Sequence, residues 1–292
     1  MPNPTLFPSF THTLRSPHGR LLDLRQPQIM GILNLTPDSF YPGSRLSPTD
    51  ETALLHRAEA MLTAGAAALD VGGYSSRPGA EDIAPAEELR RLLPAIEVLR
   101  REFPVAFISV DTFRAAVAAE AVAAGADLVN DIGGGTLDAD MLATVARLRV
   151  PYCLMHLRGN PQTMRTLTHY DEDLVLTILR FFRDQLARLR QANGGQPHPD
   201  VLLDPGFGFA KNAPQNFELL RRLPELAPLG HGLLVGLSRK AMVHKFLNLS
   251  PDTALNGTTA LHAWALRGGA RLLRVHDVPE ARQVVRLYEM VG

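Results

Sequence analysis

A (β/α)8 barrel, the TIM-barrel fold, is what this 292-residue sequence predicts, and three observations predict it. Eight short apolar runs recur along the chain, helix-length amphipathic segments separate them, and a Gly-Ala pair repeatedly joins a helical segment to the next run. Strands buried on both faces read as short continuous hydrophobic runs, and their alternation with helices over roughly 250 residues suits a closed parallel barrel. A doubly wound open sheet is the competing architecture, disfavoured by the number of strands.

Residues 1–27 precede the first barrel strand and read as a tail and a cap on the barrel bottom, with a hairpin turning at Pro17-His18-Gly19. Residues 28–292 then form one barrel domain. Its strands are expected at 29–35, 67–71, 106–110, 127–130, 152–155, 201–203, 233–236 and 272–275. Apolar residues spaced by three and four mark helices at 51–64, 85–101, 113–124 and 171–192, among others. Gly65-Ala66, Gly125-Ala126 and Gly269-Ala270 each follow a helix, and five positions after each glycine stands a polar residue: Asp70, Asn130 and Arg274. The glycine supplies the left-handed backbone of a helix C-terminus. Each polar residue therefore falls at a strand's C-terminal end, where a barrel of this kind carries its active site.

Composition narrows the partners. With 46% hydrophobic and 21% charged residues the chain can bury a large core, and 30 basic residues balance 30 acidic ones. No basic block of a kind that tracks nucleic acid occurs. The single cysteine, Cys153, cannot form an intramolecular disulfide and reads as a small buried hydrophobe. No apolar run approaches the roughly 18 residues of a membrane span, and Pro2, Pro4, Pro8 and Pro17 replace a signal-peptide core, so a soluble cytoplasmic protein is expected. The sequence has no HExxH pair and no GxxxxGK[ST] loop, and Gly206-Phe207-Gly208 lacks the rest of the dinucleotide fingerprint. His156 and His169 read as structural or surface residues.

The strand ends gather Asn34, Asp70, Asp111, Asn130, Met155, Asp204, Ser238, Lys240, Arg274 and His276 on one rim. Asp111 could simply cap the helix after it, and Asp38 and Asn130-Asp131 could cap turns. Together, though, Asp111, Asn130 and Asp204 make a receptor for a flat heterocycle edged with amino and ring N–H donors, with Lys240 offsetting their charge. A separate cationic group of Arg77, Arg274 and His276 suits a diphosphate. Asn34 is a plausible ligand for a magnesium ion carried in with that diphosphate, and Asp38 a second candidate.

Seven motifs in order resemble the dihydropteroate synthase family: Met30-Gly31-Ile32-Leu33-Asn34-Leu35-Thr36-Pro37-Asp38-Ser39-Phe40, Asp70-Val71-Gly72-Gly73-Tyr74-Ser75-Ser76-Arg77-Pro78-Gly79, Ser109-Val110-Asp111-Thr112, Asn130-Asp131-Ile132, Asp204-Pro205-Gly206-Phe207-Gly208-Phe209, Ser238-Arg239-Lys240 and Arg274-Val275-His276-Asp277. The resemblance implies a barrel that condenses 6-hydroxymethyl-7,8-dihydropterin diphosphate with 4-aminobenzoate, forming 7,8-dihydropteroate and diphosphate in folate synthesis. It assigns Asp111, Asn130, Asp204 and Lys240 to the pterin, where Met155 and Phe209 are also expected, and Asn34, Arg77, Arg274 and His276 to the magnesium diphosphate. Arg77, Lys240, Arg274 and His276 are the candidate catalytic residues. Phe40, Ser76, Arg77, Pro78 and Ser238 are expected around 4-aminobenzoate, the site sulfonamides would contest, and a homodimer is implied.

Three departures stand out. Tyr41-Pro42-Gly43-Ser44 follows Phe40 where the family usually continues Ser-Asp-Gly-Gly, Ala210 replaces a usual glycine, and Ala241 follows Lys240 where many relatives have serine. The competing functions are a pterin-dependent methyltransferase barrel, which has less use for cations around a diphosphate, and a noncatalytic pterin-binding protein, which would tolerate their loss.

Overall fold

The structure, a computed structural model, describes residues 12–36, 50–75, 82–198 and 200–291. It begins with an antiparallel hairpin of β1 (Thr13–Arg15) and β2 (Leu21–Asp23). There follow β3 (Gln28–Asn34), α1 (Glu51–Thr63), β4 (Ala68–Gly72), α2 (Pro85–Glu102), β5 (Phe107–Asp111), α3 (Ala115–Ala123), β6 (Leu128–Asp131) and α4 (Met141–Leu148). The second half runs through β7 (Tyr152–Met155), α5 (Leu174–Ala192), β8 (Val201–Asp204), α6 (Ala213–Arg221), β9 (Gly232–Val235), α7 (Ala241–His244), α8 (Leu255–Arg267), β10 (Ala270–Val275) and α9 (Val278–Val291). Strands β3 to β10 pair side by side in chain order and β10 returns to β3, closing a parallel barrel. The open sheet is excluded, and strand ends differ from those expected by two residues at most.

Alternation along each strand sorts the side chains. Residues such as Leu33, Leu69, Val110, Val129, Leu203 and Leu273 pack outward against the helices in one large cluster. Their neighbours Met30, Ala68, Phe107, Leu128, Cys153, Leu202, Leu234 and Leu272 form a second cluster inside the barrel, joined from below by Leu14, Leu22 and Leu24 of the hairpin. The barrel bottom is therefore a dry plug, and Cys153 lies wholly within it, its thiol pushed up by burial. Asp127 fixes the hairpin there: its carboxylate accepts Arg20 Nε at 2.7 Å, Arg100 Nη2 at 2.6 Å and the backbone N–H of Ile108 at 2.8 Å. Asp200 accepts the Arg15 N–H at 3.1 Å.

The three repeat glycines adopt φ of +99° at Gly65, +115° at Gly125 and +99° at Gly269, the left-handed geometry that ends a helix. Two helices begin later than their apolar spacing indicates. α3 starts at Ala115, because its free N–H is capped by Asp138 from the next unit at 2.8 Å while Phe113 turns away to meet Tyr74 edge-on, 5.0 Å between centroids. α5 starts at Leu174, where Asp173 accepts the Leu176 N–H at 2.8 Å.

His198 and His262 are buried imidazoles that burial pulls down to about 4. The unfolded chain binds protons there as pH falls through about 6.5, and the folded chain does so only near 4. The contribution of these two imidazoles to stability is thus complete above pH 6.5 and falls by a few kcal/mol toward pH 4. Thermal melts across this window should show the decline, and His262→Gln should flatten part of it; an unchanged slope in the variant would refute the attribution.

Candidate active site

One pleat above the apolar plug, the same inward positions turn polar. Asp70, Ser109 and Asn130 are completely or nearly completely buried there, with Arg274 beside them. The three polar residues of the Gly-Ala repeat meet directly: Asn130 Nδ2 donates to Asp70 Oδ2 at 3.1 Å, and Arg274 Nε donates to the same oxygen at 2.6 Å. Ser109 Oγ donates to Asp70 Oδ1 at 2.5 Å. Arg274 Nη2 reaches on to Asp111 Oδ2 at 2.7 Å, so one guanidinium bridges two carboxylates.

This bridge corrects one expectation. Arg274 does not belong to a cationic group separate from the acids; it is ion-paired to them, because β10 closes the barrel next to β3 and faces β4 and β5 across a narrow mouth. Burial opposes its charge, but Asp70 and Asp111 more than offset that and raise its pKa. Burial also lifts Asp111 to about 7, with Arg274 opposing. Asp111 caps nothing: the α3 terminus uses Asp138 instead. Asp131 does serve a turn, accepting the N–H groups of Gly133 and Gly135 at 2.7 Å each and the Tyr152 hydroxyl at 2.6 Å.

On the opposite side of the mouth Asp204 ends β8, buried, its pKa raised by burial with Lys240 opposing. Lys240 Nζ donates to the Phe207 carbonyl at 2.5 Å and lies 4.7 Å above the Phe209 ring. Burial brings the Lys240 ammonium down to about 8. Lys240 is the residue before α7, yet its side chain turns into the mouth and leaves the helix start without a side-chain cap. Phe209 packs against a small apolar cluster that contains Met155 and Ile132.

The loops after β9 and β10 are tied together. Arg239, held at a left-handed φ of +54°, makes a two-pronged ion pair with Asp277, Nε and Nη2 each 2.9 Å from a carboxylate oxygen. Its Nη1 donates to the carbonyls of Pro251 and Asp252 at 2.6 Å. The strain persists because these partners over-determine it. Ser238 Oγ accepts the His276 N–H at 3.2 Å across the same junction. A second correction concerns His276: it is buried, and burial, aided by Arg274, pulls it down to about 3. Without an anion beside it the imidazole is neutral and able to donate one hydrogen bond.

Asn34 ends β3, half-buried; its amide oxygen and the Asp111 carboxylate both flank Gly72, each 3.7 Å from where a Cβ would stand. Among the described residues no cluster of three or more His, Cys, Asp or Glu could cage a metal. A single amide oxygen suits a magnesium ion that keeps its waters and arrives on a phosphate, and does not suit a resident ion. Asp38, Phe40, Ser76, Arg77 and Pro78 lie outside the described residues.

Asp70 stood on the expected rim without a role, and Ser109 and Lys211 were given none. The signal for the first two was the inward register, since Asp70 pairs with Ser109 across β4 and β5. A mouth so lined can receive a donor-edged heterocycle on Asp111, Asn130 and Asp204, rest its face on Met155 and Phe209, and offer Arg274 to an anion beyond it.

Known proteins of this shape bear on the reading. The sequence model of the family described as "Pterin binding enzyme" matches residues 30–276. The dihydropteroate synthase of a Synechocystis strain is 46% identical over 264 residues, 90% of this chain and 89% of that one. That of Escherichia coli K12 is 43% identical over 271 residues, 93% and 94% of the two chains. The crystal structure of the Yersinia pestis dihydropteroate synthase with a sulfonamide drug complex superposes with a TM-score of 0.89 at 42% identity, covering 96% of this chain and 98% of that one.

Proposed function

The chain belongs to the pterin-binding enzyme family and within it to the dihydropteroate synthases, and from that premise we propose how its mouth divides the reaction. The enzyme joins 6-hydroxymethyl-7,8-dihydropterin diphosphate to 4-aminobenzoate for folate synthesis. Asp204 and Asn130, with Asp111, read the pterin edge, Met155 and Phe209 support its face, and Lys240 donates to it. Arg274 and His276 donate to the diphosphate, joined by Arg77 from the sequence.

The observation that carries this division is the Asp70–Arg274–Asp111 bridge. Arg274 stands one hydrogen bond from Asp111, which supports a diphosphate site beside the pterin site, close to the bond to be broken. That bond joins the pterin methylene to a diphosphate oxygen. Its electron pair leaves with the diphosphate, the methylene cation is stabilised by electron release from the ring, and the arylamine nitrogen attacks and then loses a proton. Donors aimed at the departing oxygens lower the barrier as charge grows there. No protein nucleophile is required. Asn34 would hold a magnesium ion brought by the substrate, whose contribution is to neutralise part of the diphosphate charge. Ser238 and the start of α7, together with Phe40, Ser76, Arg77 and Pro78, would receive 4-aminobenzoate, the position a sulfonamide would occupy.

The test is diphosphate release from the purified chain with and without 4-aminobenzoate, with magnesium supplied. Release coupled to dihydropteroate formation supports the reading; a chain that binds pterin yet forms no dihydropteroate under any magnesium supply refutes it.

A homodimer is part of the proposal. α8 and α9 leave Trp264 60% and Leu287 68% exposed beside a groove lined by Ala260, Ala263, Val284 and Tyr288, an apolar face suited to a second copy. Light scattering giving the mass of one chain would count against it. A cytoplasmic place suits the single buried thiol, and no described helix is long and apolar enough to cross a membrane.

A further inference from the structure

Lys211 is a cation near the mouth to which the mechanism above gives no task. It is buried, and its ammonium donates to the Gly206 carbonyl at 3.0 Å, the Phe209 carbonyl at 3.1 Å and His156 Nδ1 at 3.0 Å. His156, packed edge-on against Phe181 and kept neutral by burial and by Lys211, accepts through Nδ1 and so carries its proton on Nε2.

The segment from Asp204 to Lys211 is wound tightly around this ammonium. Gly206 has φ of +71° and its Cβ position would lie 2.1 Å from the His156 carbonyl, so only glycine fits. Gly208 follows at +80°, and Ala210, which stands where the family usually has glycine, is forced to +49° immediately before Lys211. A non-glycine residue keeps that geometry only where its surroundings enforce it. Here Tyr170 donates to the Ala210 carbonyl at 3.1 Å while Lys211 holds the carbonyls on either flank of the turn.

Those carbonyls connect to the pterin-reading groups. Gly206 donates its N–H to Asp204 Oδ1 at 2.8 Å, fixing the carboxylate. Phe207 gives its carbonyl to Lys240, and the Phe209 ring lies beneath that ammonium. We propose that Lys211 is a positioning residue of the pterin site, the internal cation whose three hydrogen bonds set the backbone that aims Asp204, Phe209 and Lys240 at the pterin. The inference rests on the pterin reading given above.

A purely structural need for two satisfied carbonyls would be met by a neutral amide, without burying a charge. Three acceptors require three donors, and a neutral amine has two. Burial brings Lys211 down to about 7, with Asp204 supporting its charge and Lys240 opposing it. The groups that face it are His156 after β7, Asp204 on β8 and Lys240 after β9.

The experiment is calorimetric binding of 6-hydroxymethylpterin to the full chain and to Lys211→Met and Lys211→Arg, with thermal melts and steady-state kinetics. Lys211→Met is expected to weaken pterin at least tenfold and raise KM for the pterin diphosphate in proportion, with kcat at saturation changed less than threefold. Lys211→Arg, a cation that does not titrate, should recover most of the affinity. A folded Lys211→Met that binds within twofold of the unaltered chain overturns the inference, as does a kcat that falls as far as KM rises. Should Lys211→Met fail to fold, the unaltered protein still decides: pterin affinity should fall severalfold as pH rises from 6 to 9, and a flat profile overturns the proposal. Lys211→Arg should remove the part of that decline near pH 7 and leave the part near pH 8 that belongs to Lys240; a profile identical to that of the unaltered chain overturns the proposal. If the unaltered chain binds no pterin, the assignment of the site fails and this inference with it; pterin binding indifferent to residue 211 defeats this inference alone.

Discussion

Replacement of Arg274 by glutamine is expected to leave a folded protein that releases diphosphate at least about a thousandfold more slowly. The loss has two sources. Glutamine cannot offer a forked cation to the departing diphosphate, and removing one aimed donor from a site of developing charge costs about a hundredfold or more by itself. In addition, Asp70 and Asp111 lose the guanidinium that sits 2.6 Å from one and 2.7 Å from the other. Two carboxylates left together without a cation cannot both stay ionised, and Asp111, already lifted to about 7, takes up a proton. The residual activity should therefore lose its neutral optimum and rise toward higher pH as Asp111 ionises. Breaking a buried pair costs roughly 3 kcal/mol, part of which protonation of Asp111 offsets, so the melting temperature should drop by only roughly 5 °C. Stopped-flow release assays and thermal melts check both halves; a rate within tenfold of the unaltered enzyme would remove Arg274 from the chemistry.

That Arg274 belongs at the mouth could be read from the chain before any geometry. Gly65, Gly125 and Gly269 end helices in the left-handed conformation, and the residue five positions on from each enters one polar layer. The repeat works because a fixed helix-to-strand turn followed by a strand of fixed register delivers equivalent positions to equivalent depth. Strand location was legible for a related reason, since burial on both faces demands continuous apolar runs such as Val201-Leu202-Leu203.

What could not be read was which side chains pair. Arg274 was grouped with Arg77 and His276 by charge, although its partners Asp70 and Asp111 come from strands more than 160 positions away in sequence. The neutrality of His276 depends on burial beneath Arg274, which composition does not report. Lys211 looked like the end of a glycine-rich stretch because its acceptors are backbone carbonyls, and those carry no sequence identity. The late start of α3 has the same origin, a cap supplied by Asp138 from the following unit.

Asp204→Asn should fail in a different quantity from Arg274→Gln, and the contrast tests the division of the mouth into a pterin side and a diphosphate side. Asparagine keeps the shape of the side chain and can still accept the Gly206 N–H that Asp204 takes at 2.8 Å. What it loses is the outward acceptor: an amide NH2 then faces the amino and ring N–H donors of the pterin, donor against donor. A site built to hydrogen-bond its ligand loses about a hundredfold or more when a partner is mismatched in this way. Free pterin binding and KM for the pterin diphosphate should worsen by that factor. The substituted site also withdraws the charge that supports the Lys240 ammonium, so the Lys240 pKa should fall below about 8 and the alkaline limb of binding should move toward neutrality. Once substrate is forced in at saturation, kcat should stay within about tenfold, because the groups that stabilise the departing diphosphate stand on β10 and after it, two strands along the barrel from β8. Arg274→Gln should show the reverse emphasis, a collapsed kcat with a smaller loss of pterin affinity that shrinks as pH rises and Asp111 ionises. Calorimetry with pterin and steady-state kinetics on both variants separate the outcomes: if each variant loses affinity and turnover together, the two halves of the mouth act as one unit and the assignment of separate tasks is wrong.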